Sequence, residues 1–375
     1  MQELARRSWR VADGTLLVYR LFDVADALDL SRAEAMLSAP RSRLKLEGPQ
    51  TKTALDIPRP PLHVALGPRQ VPLAAGPRPG EASAHLFDYG VVSIVYRLPI
   101  APGTELAELV PLSEELTAQA TPALDQAART EAEELARALA PALEHPHRWE
   151  GLETYQVFYV RSLEQPASAA EVLAGAPVAE LLLGETSEVP LSDDERSDVL
   201  GHAYSYLAED LAVVDWNSAF LLEPSGVGDI PDLLEFATAH LLELRYYDAL
   251  LDRELHAIYD ELDATRGLSD VFTRRHVSLQ RRTAALLLEI SEMSERLENA
   301  IKIVGDFYLA RLYQSSVRRF RLPAWQESVL RKERLLSGVN ELMKGTADRR
   351  RGELLELTVI LLITWEVLYA LFRHG

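Results

Sequence analysis

The sequence predicts a mixed α+β protein, with an N-terminal α/β head, a long antiparallel helical hairpin and a C-terminal hydrophobic helix. Three observations support this fold class. Apolar, β-branched runs of strand length occur in the first 100 residues, two apolar heptad series fill residues 230–307, and 15 of the 19 residues 354–372 are apolar. We place the head at residues 1–223, the hairpin with a short helix at 224–345, and a basic linker with the terminal helix at 346–375.

The head begins with strand signals. Residues 15–22 (TLLVYRLF) and 90–98 (GVVSIVYRL) are rich in the apolar, β-branched and aromatic side chains that strands favour. Seven prolines between residues 58 and 80 exclude a helix there and leave residues 62–66 as the best strand. Ser31 and Glu34 form a capping box that predicts a short helix.

The second half of the head alternates helices and strands. Residues 104–143 predict helices with a new start at Pro122, and residues 152–160 (LETYQVFYV) predict a strand. Ser192 and Glu195 form a second capping box, before a helix that leads to His202. Residues 204–222 predict a strand, a turn and a strand, so the head is expected to be an α/β or α+β domain with four to six strands.

After Pro224 the pattern changes to heptads. The first series is interrupted only by Asp248, and Gly267 and Ser269 separate it from the second series. Two such runs predict an antiparallel hairpin with arms of roughly 50 Å. A shorter helix is predicted at residues 324–343. Leucines outside the seams need another surface and predict self-association: Leu233, Leu242, Leu250 and Leu287.

Residues 354–372 predict a membrane-spanning tail anchor. A helix of this length is about 28 Å long, close to the thickness of a bilayer's hydrocarbon core. Its twelve Leu, Ile, Val and Phe residues contribute roughly −5 kcal/mol to insertion. Glu366 costs roughly 2.5 to 3.5 kcal/mol, and Glu356, near one end, costs less.

The basic residues that flank this segment predict its orientation. They place the body of the protein at the cytoplasmic side of the inner membrane, with a single C-terminal pass: Arg349, Arg350, Arg351 and Arg373. The alternative is a soluble helix buried in a bundle, with Glu356 and Glu366 facing polar groups and the protein in the cytoplasm.

Composition and charge exclude several functions. The chain has no cysteine, which excludes disulfides and thiolate metal sites. Arginine outnumbers lysine 34 to 5, which favours a GC-rich bacterial genome. The net charge is −18, and residues 101–270 alone have 35 acidic and 8 basic side chains. Repulsion of phosphate by this segment argues against direct DNA binding, and the basic residues after it are expected to pair with it or to face anionic lipid or RNA.

One polar cluster is a candidate functional site. Asp215, Trp216 and Asn217 lie at the predicted turn between two strands. The structural alternative is that the tryptophan packs in the core and the turn is of the Asx type. No phosphate-binding loop, dinucleotide fingerprint, nucleophile elbow or zinc-protease motif occurs, so no catalytic residue, cofactor or metal ligand is predicted.

The histidines and helix carboxylates predict no further site. His145 and His147 lack additional ligands nearby in sequence, which argues against a metal. His240, Glu243 and Asp252 fall on the hairpin helix and are expected to be solvated.

Five segments together resemble one known family. They are VYRLFDVADALDL, HLFDYGVVSIVYR, AEDLAVVDWNSAFLLEP, DFYLARLYQSSVRRFRLPAWQESVLRKERLLSGVNELM and LLELTVILLITWEVL. In combination, over about residues 10–372, they resemble the required-for-meiotic-nuclear-division family and its bacterial YagE-type relatives (domain of unknown function 155). The resemblance implies a membrane-anchored, non-catalytic protein that assembles with itself. Mitochondrial members support translation of inner-membrane proteins, which implies a ribosome or membrane-protein partner by analogy.

Three functional hypotheses follow. The first is a non-catalytic scaffold or tether at the cytoplasmic membrane face, which by resemblance supports translation or assembly of membrane proteins. The second is an enzyme of unknown reaction with a site in the head near Asp215. The third is a soluble helical oligomerisation protein. A cleft with convergent carboxylates of shifted pKa would favour the enzyme, whereas a flat head with a protruding apolar tail would favour the tether.

Overall fold

A large, mostly antiparallel sheet organises the first of two structural units in the computed structural model. The structure describes residues 7–46, 55–117, 121–187, 189–264, 272–300, 302–303, 308–341, 360 and 362–365. Unit 1 comprises Met1–Tyr246 and Glu295–Gln326, and unit 2 comprises Tyr247–Ser294 and Glu327–Gly375. The chain is therefore mixed α and β, as the sequence predicts.

Thirteen strands are present in the described parts of the chain. Their bounds are β1 Val11–Asp23, β2 Ala25–Leu28, β3 Arg41–Arg43, β4 Leu55–Asp56, β5 Leu62–Val71, β6 Arg78–Leu86, β7 Val91–Ile100, β8 Leu143–Pro146, β9 Glu153–Leu163, β10 Ala203–Tyr204, β11 Leu211–Val214, β12 Ser218–Leu222 and β13 Lys302–Ile303. Nine of them form the sheet in the order β10-β11-β12-β9-β1-β7-β6-β5-β3. The pair β9–β12 is parallel and the other neighbours are antiparallel. Of the two classes that the sequence leaves open for the head, the mostly antiparallel sheet favours α+β over α/β.

β1 is the central strand of the sheet. Every residue of its second half, 16–23, is buried, and the strand pairs with β7 on one side and β9 on the other. Tyr19, for example, lies opposite both Val95 and Tyr155. A strand that is buried on both faces needs a nearly continuous apolar run, so this strand can be recognised from the sequence. The predicted strands at 15–22, 90–98 and 152–160 are confirmed as β1, β7 and β9.

Besides the helical residues 360 and 362–365, ten α-helices occur in the described residues. Their bounds are α1 Leu30–Met36, α2 Val110–Thr117, α3 Pro122–Ala138, α4 Ala169–Gly175, α5 Val178–Leu183, α6 Asp193–Leu200, α7 Asp229–Ala264, α8 Phe272–Ala300, α9 Tyr308–Arg319 and α10 at residues 322–341. The cap predicted for α6 is confirmed, since the Ser192 hydroxyl accepts a bond from the Glu195 amide at 3.2 Å. The cap predicted for α1 is wrong: the carboxylate of Asp29, rather than Ser31, accepts the first amide bonds.

Helices of unit 1 cover both faces of the sheet. On one face, α2, α3 and α5 add leucines and alanines to the main apolar core, which includes Leu16 and Val18 of β1. On the other face, the first half of α7 packs on the strands. Its Phe236 meets Phe87 edge-on, with ring centroids 5.2 Å apart, and its Glu235 bonds His85 of β6. This second face therefore combines aromatic packing with buried polar groups.

Unit 2 contains the second half of α7, most of α8 and α10. Buried side chains repeat at heptad spacing on both long helices: Leu251, Leu255 and Ile258 on α7, and Leu286, Ile290 and Met293 on α8. Asp248, which interrupts the apolar seam, accepts a bond from Ser328 and lies 2.8 Å from Lys332 Nζ, both on α10. The two long helices are therefore present, while their arrangement as an antiparallel hairpin stays a prediction.

The membrane-anchor prediction is corrected. Among the helices in the described ranges, none is both long and apolar enough to cross a bilayer. Attachment to a membrane through the C-terminal helix is therefore not supported. The residues on which that prediction rested lie outside the described ones: Arg349, Arg350, Arg351, Glu356, Glu366 and Arg373.

The turn between β6 and β7 generates a stability prediction. Gly90 has a φ of 92°, and a Cβ there would lie 1.7 Å from the carbonyl oxygen of Ala25. Gly90→Ala should therefore lower the free energy of unfolding by roughly 3 to 5 kcal/mol, from backbone strain plus a clash with main chain. Gly67 is the matched control, since it also has a positive φ but no atom within 4 Å of an added Cβ.

Urea denaturation of the two variants is the measurement. Gly67→Ala should cost about 1 to 2 kcal/mol, from strain alone. Equal losses in the two variants would contradict the packing of this turn against β2.

Candidate functional site

The polar cluster found in the sequence forms the turn between β11 and β12. The Asp215 amide donates to the Ser218 carbonyl at 2.8 Å, which closes the turn. The Tyr155 hydroxyl, from β9, lies 3.0 Å from the Asp215 carbonyl and 2.9 Å from that of Ser218. Asp215 and Asn217 are buried, but Trp216 is 59% exposed. The interpretation of Trp216 as a core side chain is therefore wrong.

A cleft of about 830 Å³ opens beside this turn, within unit 1. Trp216 and Asn217 line it together with the start of β9, α7 and the residues that follow α9. The polar or aromatic side chains that shape its chemistry are Glu153, Arg245, Arg319, Arg321 and Trp325. The volume falls within the usual range for sites that bind small molecules, roughly 300 to 1,000 Å³.

Arg319, the last residue of α9, is fixed by carboxylates on two sides. Its Nε and one terminal nitrogen lie 2.8 and 2.7 Å from Asp215 Oδ1, and the same terminal nitrogen lies 2.9 Å from Asp198. Burial lowers the pKa of Arg319, but pairing with Asp215 and Asp198 raises it by more, so the net shift is upward. The guanidinium is therefore a permanent, oriented cation at the cleft.

Glu153 and Arg245 form a second ion pair at the cleft, between the first residue of β9 and α7. Burial raises the pKa of Glu153 to about 7, since the opposing effect of Arg245 does not cancel it. The Arg245 guanidinium also lies over the Trp325 ring, 5.8 Å from its centroid. The cleft therefore contains one carboxyl group that changes charge near neutral pH.

Arg321 occupies an unusual backbone position for a long side chain. Its φ is 58°, in the left-handed region where glycine usually terminates a helix. Its amide donates to the Arg318 carbonyl at 3.0 Å, and its own carbonyl accepts the Ala324 amide. A non-glycine residue at such a position lowers the free energy of unfolding by roughly 1 to 2 kcal/mol. Arg321 lines the cleft, and the described part of the structure contains no ion pair that involves its guanidinium.

Asn217 leaves a hydrogen-bonding group unused. Its side-chain oxygen is buried and has no hydrogen-bond partner among the described residues. A buried polar atom without a partner costs roughly 1 to 3 kcal/mol. Since Asn217 lines the cleft, a ligand there could supply the missing donor.

The histidine pair found in the sequence lies elsewhere in unit 1. His147 is clamped between two carboxylates, with Nε2 3.0 Å from Asp23 and Nδ1 3.3 Å from Asp26. Burial lowers the pKa of His147, but the two carboxylates raise it to about 10. Each nitrogen of the imidazolium is therefore paired with a different carboxylate, an arrangement that stabilises the fold. Consistent with this, no group of three His, Asp or Glu side chains in the described residues could hold a metal ion.

Two further expectations are corrected, because the first half of α7 faces the sheet. His240 and Glu243 are buried rather than solvated. His240 Nδ1 lies 3.2 Å from the Tyr313 hydroxyl, and burial lowers the pKa of His240 to about 4. Asp252, by contrast, is half exposed and lies 2.6 Å from Lys332 Nζ.

These features define a mixed α+β protein with a ligand-sized, arginine-lined cleft. The chain belongs to the family described as the N-terminal domain of the uncharacterized protein MJ0711, whose family model matches residues 13–229. The uncharacterized protein MJ0711 of Methanocaldococcus jannaschii is 25% identical over 232 residues, which cover 59% of this chain and 67% of that protein. No solved structure matches.

The family resemblance drawn from the five sequence segments is therefore wrong. The matching family is the MJ0711 N-terminal domain, and the similar protein is archaeal, so the YagE-type and bacterial assignments have no support. The matched segment includes the β11–β12 turn and Glu153 but ends before α9. Sequence reasoning missed Glu153, Arg245, Arg319 and Arg321. For the last two, the basic run RRFR was the available signal.

The shifted pKa of Glu153 predicts a pH dependence of stability. Between the ordinary pKa of 4.5 and about 7, the folded protein keeps a proton that the unfolded chain has lost. The free energy of unfolding should therefore fall as pH rises through this window, by up to about 3 kcal/mol relative to Glu153→Gln. Urea denaturation at pH 5 and pH 8 measures this difference, and Glu150→Gln, at an exposed position, is the control. Parallel pH curves for the wild type and Glu153→Gln would contradict the assignment.

Proposed function

We propose that unit 1 is a non-catalytic recognition domain that binds a small anionic molecule in the cleft. The observation that carries this proposal is that Arg321, which forms no ion pair in the described part of the structure, lines the same cleft as the fixed guanidinium of Arg319. Because two carboxylates already offset the charge of Arg319, Arg321 supplies the free positive charge that an anion in the cleft would pair with. Guanidinium groups also bind carboxylates and phosphates in a two-point geometry.

The backbone at Arg321 supports the same proposal. A left-handed position after a helix is most stable with glycine, and arginine there costs stability. Backbone strain of this kind often accompanies a functional site. The strained position carries the side chain that is free to bind, while the Asp215 and Glu153 carboxylates already hold Arg319 and Arg245. Such preorganisation lowers the entropic cost of binding.

An enzyme is a second candidate, because one observation favours it. Glu153 lines the cleft, and its pKa of about 7 suits a general acid or base at neutral pH. Under this alternative, Glu153→Gln would bind the ligand as the wild type does but would not convert it. Under the recognition proposal, the wild type itself leaves the ligand unchanged.

We also propose that α7 and α8 form an antiparallel hairpin, which would give unit 2 a scaffold role. Arg282 and Glu254 form an ion pair at 2.5 Å. Glu254 lies ten residues before the end of α7, and Arg282 lies ten residues after the start of α8. Antiparallel packing would therefore place the connected helix ends side by side. Parallel packing would separate the end of α7 from the start of α8 by about 30 Å. The residues that connect the two helices can span at most about 28 Å.

Inorganic pyrophosphate is the first probe of the recognition proposal. It should raise the unfolding temperature of the wild type, because a ligand that binds only the folded state stabilises it. Arg321→Ala should lose at least half of this shift. Arg318→Ala is the matched control, since Arg318 is exposed on α9, three residues before Arg321, and does not line the cleft, and it should keep the shift. Equal loss in both variants, or no shift in the wild type, would contradict the cleft as an anion site.

The hairpin is tested by distances between spin labels. The chain has no cysteine, so labels can be introduced at chosen pairs. Asp260→Cys with Glu292→Cys should give an axial separation of roughly 25 Å for antiparallel helices and about 6 Å for parallel ones. Asp260→Cys with Arg282→Cys is the control, since both arrangements predict about 9 Å along the axis.

A further inference from the structure

The cleft combines three kinds of contact that one class of ligand can use together. We infer that it binds a nucleoside phosphate, an inference that rests on the proposed function. The three contacts are an exposed aromatic surface, an amide group without a partner and an arginine-rich end.

The aromatic surface consists of two indole rings. Trp216 is 59% exposed at the tip of the β11–β12 turn, and Trp325 lines the same cleft beneath the Arg245 guanidinium. An exposed tryptophan at a turn loses the benefit of burial that large apolar side chains usually gain. A flat heterocycle stacked on the indole would recover that benefit, and every nucleobase has such a face.

The unpaired amide suits the edge of a nucleobase. Asn217 precedes β12, beside Trp216, and its buried side-chain oxygen lacks a hydrogen-bond donor. Nucleobases carry ring N–H and exocyclic amino groups in the plane of the ring, so a base stacked on Trp216 presents donors at its edge. An asparagine amide can bond such an edge through both its oxygen and its nitrogen. If the amide oxygen and nitrogen are exchanged, the buried group needs an acceptor instead, and ring nitrogens and carbonyl oxygens at the edge of a base supply one.

The arginine-rich end suits a phosphate. Arg319 and Arg321 lie two residues apart where α9 ends, and Arg319 is bonded to Asp215, the residue before Trp216. The ion pair between Arg319 and Asp215 therefore joins the β11–β12 turn, where the base would stack, to the arginines that would bind the phosphate. A cleft of about 830 Å³ is large enough for a mononucleotide.

The surrounding charge favours a free nucleotide over a nucleic acid. Asp125 and Glu153 also line the cleft, and residues 101–270 have 35 acidic and 8 basic side chains. A polynucleotide would extend its phosphates past these carboxylates, whereas the one or two phosphates of a nucleotide would remain beside Arg319 and Arg321.

Calorimetric titration of the full-length protein tests the inference. The probes are ADP, GDP, UDP, adenosine and inorganic pyrophosphate, with wild type, Trp216→Ala and Arg321→Ala. Both side chains are exposed, and unfolding temperatures without ligand check that each variant is folded. At least one nucleotide should bind tenfold or more tighter than pyrophosphate, because pyrophosphate has no base to stack on the indole.

The variants separate the two ends of the ligand. Trp216→Ala should reduce nucleotide affinity to that of pyrophosphate and leave pyrophosphate binding unchanged, and Arg321→Ala should reduce nucleotide affinity to that of adenosine. If pyrophosphate binds in an Arg321-dependent way but no nucleotide binds tighter, the nucleoside assignment is overturned and the anion site stands. If no probe binds in an Arg321-dependent way, both proposals fall.

Discussion

The ion pair between Asp215 and Arg319 determines the geometry of the candidate site. Its partners are 104 residues apart in sequence and join the β11–β12 turn to the end of α9. Asp215 is fully buried, so its carboxylate has lost its contacts with water. Two bonds from Arg319 to Oδ1 offset part of that cost, while Oδ2 has no hydrogen-bond partner among the described residues. Without Arg319, a buried charge would remain unpaired. The pair therefore fixes the position of Trp216 and Asn217 relative to the arginines that follow α9.

Ion pairs also help the chain to accommodate its uneven charge. The acidic segment 101–270 is partly neutralised by basic residues from later in the chain. In unit 1, Arg319 lies 2.9 Å from Asp198. In unit 2, Lys332 lies within 2.8 Å of Asp248 and Asp252. The sequence-based expectation of intramolecular pairing is confirmed for these residues, and Arg321 stands apart from them as a guanidinium available to a ligand.

Much of the fold could be predicted from local sequence, whereas only the turn residues Asp215, Trp216 and Asn217 of the site could. The strands β1, β7 and β9 are recognisable because burial on both faces needs continuous apolar runs, and α6 because Ser192 caps it locally. The exposure of Trp216 depends on the turn that positions it, and a large aromatic residue alone suggests burial. His240 and Glu243 look solvated in sequence because polar residues on a helix usually are, but the first half of α7 packs on the sheet and buries them. The membrane-anchor prediction and the family resemblance were wrong for a related reason. Composition and short motifs do not show what surrounds a segment in the folded protein.

A double-mutant cycle on Asp215 and Arg319 tests the central claim most directly. The free energies of unfolding of Asp215→Asn, Arg319→Gln and the double variant would be measured by urea denaturation. If this buried pair joins the turn to α9, each single variant should lose roughly 3 to 5 kcal/mol, and the coupling energy should be about 2 kcal/mol or more. Additive losses, with a coupling energy near zero, would contradict the claim that this pair holds the cleft together.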